Sequence, residues 1–323
     1  MRFASWWIGR VASAAGTLLG VSVLIFAAVR FMPGGYAQIV LGPFATPGER
    51  AALAARYGLE DPLVVQYGRW IASVGRGDFG TSLLSKEPVA AELVQRLPVT
   101  AELAVLAAVA AVLVGVPLGV LTAVRSRDGG GAAAGRLASG LGVSVPEFVL
   151  GSLLVFVFSR YALGLTVGGY VPFAADPGAN LRAMALPATV LAVAATTAVA
   201  RTTRDAVMNV LTEQYVTAAV ARGEPPWFIV RHHVLRNAAV PVVIVLTVIT
   251  ASLLGGALIV EYLFDLPGVG SYIVQAVGRR DYAVVQAGVL LAATVFILMN
   301  VIADFVVGVV DPRLGAAARN GGV

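Results

Sequence analysis

Apolar positions dominate this chain in long runs, and the polar positions gather between them. Six runs, at about 9–31, 99–124, 137–160, 184–203, 238–261 and 282–309, are nearly free of charge. Each has the roughly 20 residues that an α-helix needs to cross a hydrocarbon core about 30 Å thick. The pattern predicts an all-α polytopic membrane protein with six transmembrane helices. Glycine and proline inside these runs, as in "LVGVPLGVL", are ordinary in membrane helices, where neighbours re-satisfy the freed backbone groups. Gly115, Gly119, Gly151 and Gly255 are small residues that let helices approach closely.

The polar intervals divide the rest. Residues 1–31 are the N-terminal segment with the first span, and 32–98 form a long loop. A core of five further spans occupies 99–310, interrupted by a polar stretch at 204–237, and 311–323 are a polar tail. The apolar run from Val11 to Val29 is long for a signal-peptide core and is followed by no small-x-small cleavage pattern. It is expected to be retained as the first helix.

Composition strengthens this reading. Hydrophobic residues make up 58% of the chain and charged ones 13%, far below the quarter usual in soluble domains. The net charge of +5 comes almost wholly from arginine, with Lys86 the only lysine. In so apolar a chain, this basicity points to loops on the cytoplasmic side rather than to nucleic acid, for which basic patches interleaved with aromatics are missing. Arg125, Arg127 and Arg136 lie between spans 2 and 3, and Arg201, Arg204, Arg222, Arg231 and Arg236 between spans 4 and 5. The short opposite connections hold only Arg160 with Arg182 and Arg279 with Arg280, and the long first loop, about Phe31 to Pro98, carries mixed charge and counts little in this rule. The positive-inside bias then puts both termini and the 204–237 stretch in the cytoplasm.

Missing motifs narrow the chemistry. The lone Lys86 is followed by Glu87, so no P-loop is present to cradle a nucleotide. The two histidines are the neighbours His232 and His233, HExxH is absent, and there is no cysteine. No metal or cofactor site is expected. "GVGSYI" lacks the strand of a dinucleotide fingerprint and reads as a turn.

The stretch "YVTAAVARGEPPWFIVRHHVLRNAAVP", Tyr215 to Pro241, is the most polar interval of the second half. Residues Glu213 to Arg222 have good helix propensity, Gly223 suits a left-handed cap, and Pro225 and Pro226 forbid continuation. Trp227 to Asn237 resume as a second helix leading into span 5. A helix, a sharp break and a helix make a rigid knob; the plainer alternative is an amphipathic loop lying at the lipid headgroups.

Here the residues resemble a known family. "YVTAAVARG" with "RHHVLRNAAVP" looks like the EAA loop of bacterial ABC importer permeases of the dipeptide, oligopeptide and nickel branch. Ala218, Ala219, Gly223 and Pro241 fit that loop, while Thr217 stands where the general motif has glutamate. "LLGVSVLIFAAVRFMPG", "YGLEDPLVVQYGRWIASVGRGDFGTSL", "RLPVTAELA", "EYLFDLPGVGSYIVQAVGRRDYAVVQ" and "DFVVGVVDPRLG" resemble the family's other segments in the same order.

The resemblance implies a type I ABC importer permease fold with a cytoplasmic coupling helix, in a bacterial inner or plasma membrane. Such a permease pairs with a second, related permease, rests on two ATPase subunits that bind ATP and Mg, and receives solute from an extracellular binding protein. It is not itself an enzyme. The ATPase-coupling residues carried over are Tyr215, Ala218, Ala219, Gly223, Trp227, Arg231 and Arg236. Arg222 also faces this partner, with Ala218, Ala219, Trp227 and Phe228 as apolar contacts. Peptides are the implied solute; nickel complexes and haem move through the same machinery.

Further residues stand out. Tyr57, Tyr67 and Trp70 in the long first loop suit either docking of the binding protein or anchoring at the outer membrane interface. Glu147, inside span 3, carries a charge that costs about 3 kcal/mol near the bilayer centre. It either lines the pathway and meets a peptide ammonium, or lies near the cytoplasmic end and pairs with Arg136 or another arginine. Asn300 and Asp304 share a face of span 6 and suit hydrogen bonds between helices. An intramembrane enzyme would need a catalytic constellation at membrane depth, yet both histidines lie outside the spans; a channel would need no docking knob.

Overall fold

The computed structural model of the chain describes residues 2–31, 46–48, 52, 55, 60–126, 145–161, 164–165 and 167–310. Among these there is no strand, and an isolated antiparallel bridge joins Thr81 to Pro88. The chain divides into two units, Met1–Pro98 with Pro267–Ile297, and Val99–Leu266 with Leu298–Val323.

Helix α1 (Arg2–Arg30), α2 (Leu63–Gly75), α3 (Val89–Ser126), α4 (Glu147–Tyr161) and α5 (Pro177–Leu211) follow in order. A short α6 (Gln214–Ala221) comes next. The next helical segment, α7, opens with a turn at Pro226–Phe228, widens to a π-helix at Ile229–Val234 and continues as α-helix over Leu235–Leu263. Helices α8 (Val269–Arg279) and α9 (Tyr282–Val310) complete the described chain.

Among the described residues, five stretches are long and apolar enough to cross a membrane: Ile8–Arg30, Val89–Arg125, Pro177–Leu211, Ile229–Leu263 and Tyr282–Val306. The remaining expected span is described only from Val145 onward, where α4 supplies 15 helical residues; residues 137–144 lie outside the described set. The helices outrun the apolar runs that announced them. Helix α3 begins at Val89 rather than near 99, because Glu92, Gln95 and Arg96 end the hydrophobic run without ending the helix. The interval 32–98 is therefore no loop throughout, since it contains α2 and the start of α3. "GVGSYI" is also not a turn: Gly268 caps α8, and Gly270 and Ser271 are buried within it.

The second unit has its core on α5, which buries residues on every side, from Met184 and Leu191 to Val199 and Val207. The helix starts where Asp176 accepts the amide of Ala179 at 3.0 Å and Pro177 supplies a preset φ, the arrangement favoured at helix N-termini. Val190, Leu191, Leu103, Val260 and Phe264 form its centre. Small residues set the spacing. A Cβ on Gly119 would lie 2.5 Å from that of Thr203, and one on Gly115 2.9 Å from the Thr196 carbonyl, so α3 rests directly on α5. Gly151 plays the same part against Leu263. On α7 the crowded glycine is Gly256, whereas Gly255 has open space around it, the reverse of expectation. One residue rotates a helical position by 100°, so adjacent glycines cannot share a packing face.

In the first unit, α2 lies against α1 through Phe26, Tyr67 and Trp70, with ring centroids 5.4 to 6.1 Å apart. The Tyr67 hydroxyl is 2.8 Å from that of Ser22. Gln66 is buried, and its amide donates to the Asp61 carbonyl at 2.7 Å. Elsewhere in this unit Arg96 stacks over the ring of Tyr272, 4.4 Å from its centroid.

Candidate functional site

The knob at 212–237 is built from its backbone outward. Helix α6 ends in a Schellman motif: the Gly223 amide donates to the Val220 carbonyl at 2.9 Å, and the Glu224 amide to that of Ala219 at 3.2 Å. Gly223 takes φ +77°, a left-handed value that costs an ordinary L-residue about 1–2 kcal/mol. The chain restarts at once. Amides of Phe228 and Ile229 donate to the Pro225 carbonyl at 2.9 and 3.1 Å.

A small apolar core holds the two halves together. Val216 and Ala219 of α6 pack with Ile229, Val234 and Ala238 of α7, and with Ala123, Ala206 and Val207 of α3 and α5. The knob is thus seated on the ends of α3 and α5, and α7 carries it without interruption into the apolar run. That continuity is what a lever requires.

Polar contacts lock the break. The Glu224 carboxylate accepts from Arg222 Nε and Nη2 at 3.1 and 2.7 Å, and from His233 Nε2 at 2.9 Å. The Arg222 bonds, reinforced by that of His233, hold the Glu224 carboxyl below its ordinary range. Asn237 donates to the Tyr215 hydroxyl at 3.0 Å and to the His233 carbonyl at 2.7 Å. Phe228 stacks on His232 with centroids 4.2 Å apart, and Trp227 meets Phe228 edge-on at 5.8 Å.

The outer face carries Tyr215, Ala218, Trp227, Arg231 and Arg236, all exposed; Trp227 keeps 64% of its surface. Two of the expected contact residues are already engaged within the chain. Ala219 is fully buried in the knob's own core, where its side chain packs between α6 and α7. Arg222 is engaged by Glu224, beside it, before any outside carboxylate reaches it. Sequence reasoning missed Glu224, His233 and the π-helical segment. The residue after a Schellman glycine folds back toward the following helix, which was a signal for Glu224; its histidine partner depended on the π turn.

The other sequence candidates lie elsewhere. Tyr57 is outside the described residues. Tyr67 and Trp70 turn toward Phe26, which gives these rings a packing role within the chain. Glu147 is the first residue of α4, half-buried, and its Oε2 lies over Gly256 of α7. It enters a cleft of about 150 Å³ between α4, α5 and α7. Arg136 is outside the described residues. Among the described residues, no group of three or more histidine, cysteine or acidic side chains is placed to hold a metal ion.

Comparison with known proteins gives consistent matches. Residues 115–316 match the binding-protein-dependent transport system inner membrane component, and residues 3–104 its N-terminal companion. A probable peptide ABC transporter permease protein of Sinorhizobium fredii is 36% identical over 94% of this chain and 97% of its own length. The glutathione transport system permease protein GsiC of Salmonella paratyphi A is 37% identical over 92% of this chain and 94% of its own. The dipeptide transport system permease protein DppB of Alkalihalophilus pseudofirmus is 32% identical over 92% and 95%. Among solved structures, an inward-facing MetNI methionine ABC transporter chain superposes with a TM-score of 0.55 at 22% identity, covering 68% of this chain and 96% of that one. This last likeness speaks for the fold.

Proposed function

We propose that this chain, which belongs to the family of binding-protein-dependent transport system inner membrane components, is the peptide-moving permease of an ATP-driven importer whose knob at 212–237 docks on an ATPase. Its helices form the type I permease fold, and it is a multi-pass membrane protein. The relatives named for peptide, dipeptide and glutathione transport support a peptide substrate. A second permease, two ATPase subunits that bind ATP and Mg, and an extracellular binding protein complete the assembly in this reading. The arginine bias between spans 4 and 5 supports a cytoplasmic knob and cytoplasmic termini.

The observation that carries the proposal is a rigid two-helix knob whose second helix is continuous with a membrane-crossing one. Closure of the ATPases would displace such a knob as a body, and α7 would transmit that movement to the pathway. Trp227 and Tyr215 supply aromatic anchors at the contact, and Arg231 and Arg236 its charged rim. Ala218 and Gly223 permit close approach and the turn. Both histidines sit on the knob, at the start of the Ile229–Leu263 stretch rather than in its apolar interior, which favours peptides over nickel complexes.

The test is co-purification in detergent. Intact chain should retain its ATPase subunits and, once reconstituted, show peptide-stimulated ATP hydrolysis. Gly223→Asp should release or uncouple them. A folded intact chain that retains no ATPase would remove the importer reading.

A further inference from the structure

Glu147 occupies an unusual position for a carboxylate. It begins α4 at a Pro146 break and points between α5 and α7. Leu191, Ala194 and Ala195 line the cleft on one side and Ile249 and Ser252 on the other. A helix N-terminus favours the negative charge. Among the described residues, no cation pairs with it.

The carboxylate rests against a glycine. A Cβ on Gly256 would lie 2.6 Å from Glu147 Oε2 and 2.9 Å from Leu191 Cδ1. A side chain there would displace the ends of Glu147 and Leu191, two residues that line the cleft. The volume of about 150 Å³ exceeds the roughly 30 Å³ share of a single water molecule. Ser252 directs its hydroxyl to the Val248 carbonyl, 3.4 Å away, leaving the oxygen's lone pairs for a donor. One carboxylate, one acceptor hydroxyl and otherwise apolar walls make a complement to an ammonium on an aliphatic stem.

We infer that Glu147, Ser252 and the cleft they line between α4, α5 and α7 form a pathway subsite for a protonated primary amine of the transported peptide. The inference rests on the importer reading and adds a chemical preference to it. Two groups carry this chemistry, the peptide's N-terminal ammonium and a lysine side chain.

The test uses the complete transporter in proteoliposomes, with the binding protein saturated by each of three probes: Ala-Ala-Ala, its N-acetylated form, and N-acetyl-Ala-Lys-Ala. ATP-dependent uptake is compared between the unaltered chain, Glu147→Gln, Glu147→Asp and Gly256→Ala, with melting temperatures alongside. Glu147→Gln removes charge at constant volume, and Gly256→Ala displaces the carboxylate at constant charge. Both should lower uptake of amine-bearing probes about tenfold relative to the acetylated tripeptide, and Glu147→Asp should restore part of it. Loss confined to Ala-Ala-Ala assigns the N-terminal ammonium; loss with the lysine probe as well assigns any primary amine. An equal fall for all probes, or an unchanged uptake profile, overturns the subsite. A lower melting temperature of Glu147→Gln with an unchanged profile overturns it too and makes Glu147 a structural ion-pair member. No ATP-dependent uptake of any probe by the unaltered complex would instead fault the importer reading.

Discussion

Ser82 donates its hydroxyl to the carboxylate of Asp281 at 2.6 Å, joining two residues that lie 199 positions apart. Both are almost wholly buried, and the Leu83 amide adds a second bond to the same oxygen at 2.9 Å. Asp281 is aimed there by the end of α8, where Arg280 takes φ +56° and the Asp281 amide returns to the Ala276 carbonyl. The connection before α9 is thereby tied to the segment before α3. Tyr272 lies in the same cluster, its phenol pushed up by burial and then by the nearby Glu92 carboxylate.

Removing one donor from a buried acceptor costs about 1–3 kcal/mol. Ser82→Ala should lower the thermal stability of the purified protein by that order, with helical content unchanged at low temperature. A melting curve that overlays the parent's would show that water replaces the serine without penalty.

The knob separates stability from docking. Trp227 is exposed, so Trp227→Ala should change the stability of the isolated chain by less than about 0.5 kcal/mol while weakening ATPase retention. Ala219 has no free surface, so Ala219→Leu should destabilise the knob by about 1–3 kcal/mol through overpacking. Melting and co-purification measured together decide between the roles. If both variants lose ATPase and stability in parallel, the division is wrong.

The clasp at Glu224 predicts a pH response. Because its carboxyl is held below the ordinary glutamate range, folding stability from this group is complete above its unfolded value and is lost as pH falls through its depressed folded value. Protection of the 222–234 amides from hydrogen exchange, compared across acid pH, reads this directly. Glu224→Gln should flatten the dependence; an identical acid profile in the variant would exclude the clasp as its source.

Close approach of α3 to α5 depends on Gly119. Gly119→Val should cost about 1–3 kcal/mol or more, since the backbone of α3 has to retreat from Thr203 and Ala200. Gly255→Ala, with nothing near it, should be neutral or mildly stabilising in the same assay.

Long apolar runs made the membrane helices legible, because hydrocarbon thickness sets a minimum length and excludes charge whatever the helices pack against. The knob's break was legible for a similar reason: glycine at a left-handed position followed by two prolines is a local constraint on backbone torsions. Helix ends in polar surroundings were not, since the start of α3 at Val89 and the turns of α5 beyond Thr203 carry charged residues that end the charge-free runs without ending the helices.

What tertiary structure alone decided is which member of each similar pair is used. Gly256 rather than Gly255 faces its neighbours, and Ala219 rather than Ala218 is buried. Adjacent helical residues have nearly equal propensity and differ only in direction, which packing settles. The Ser82–Asp281 bond and the Glu224–His233 clasp likewise arise from where the chain returns in space. Local sequence carries chemistry and torsional preference, but a contact between distant residues exists only once the whole fold has brought them together.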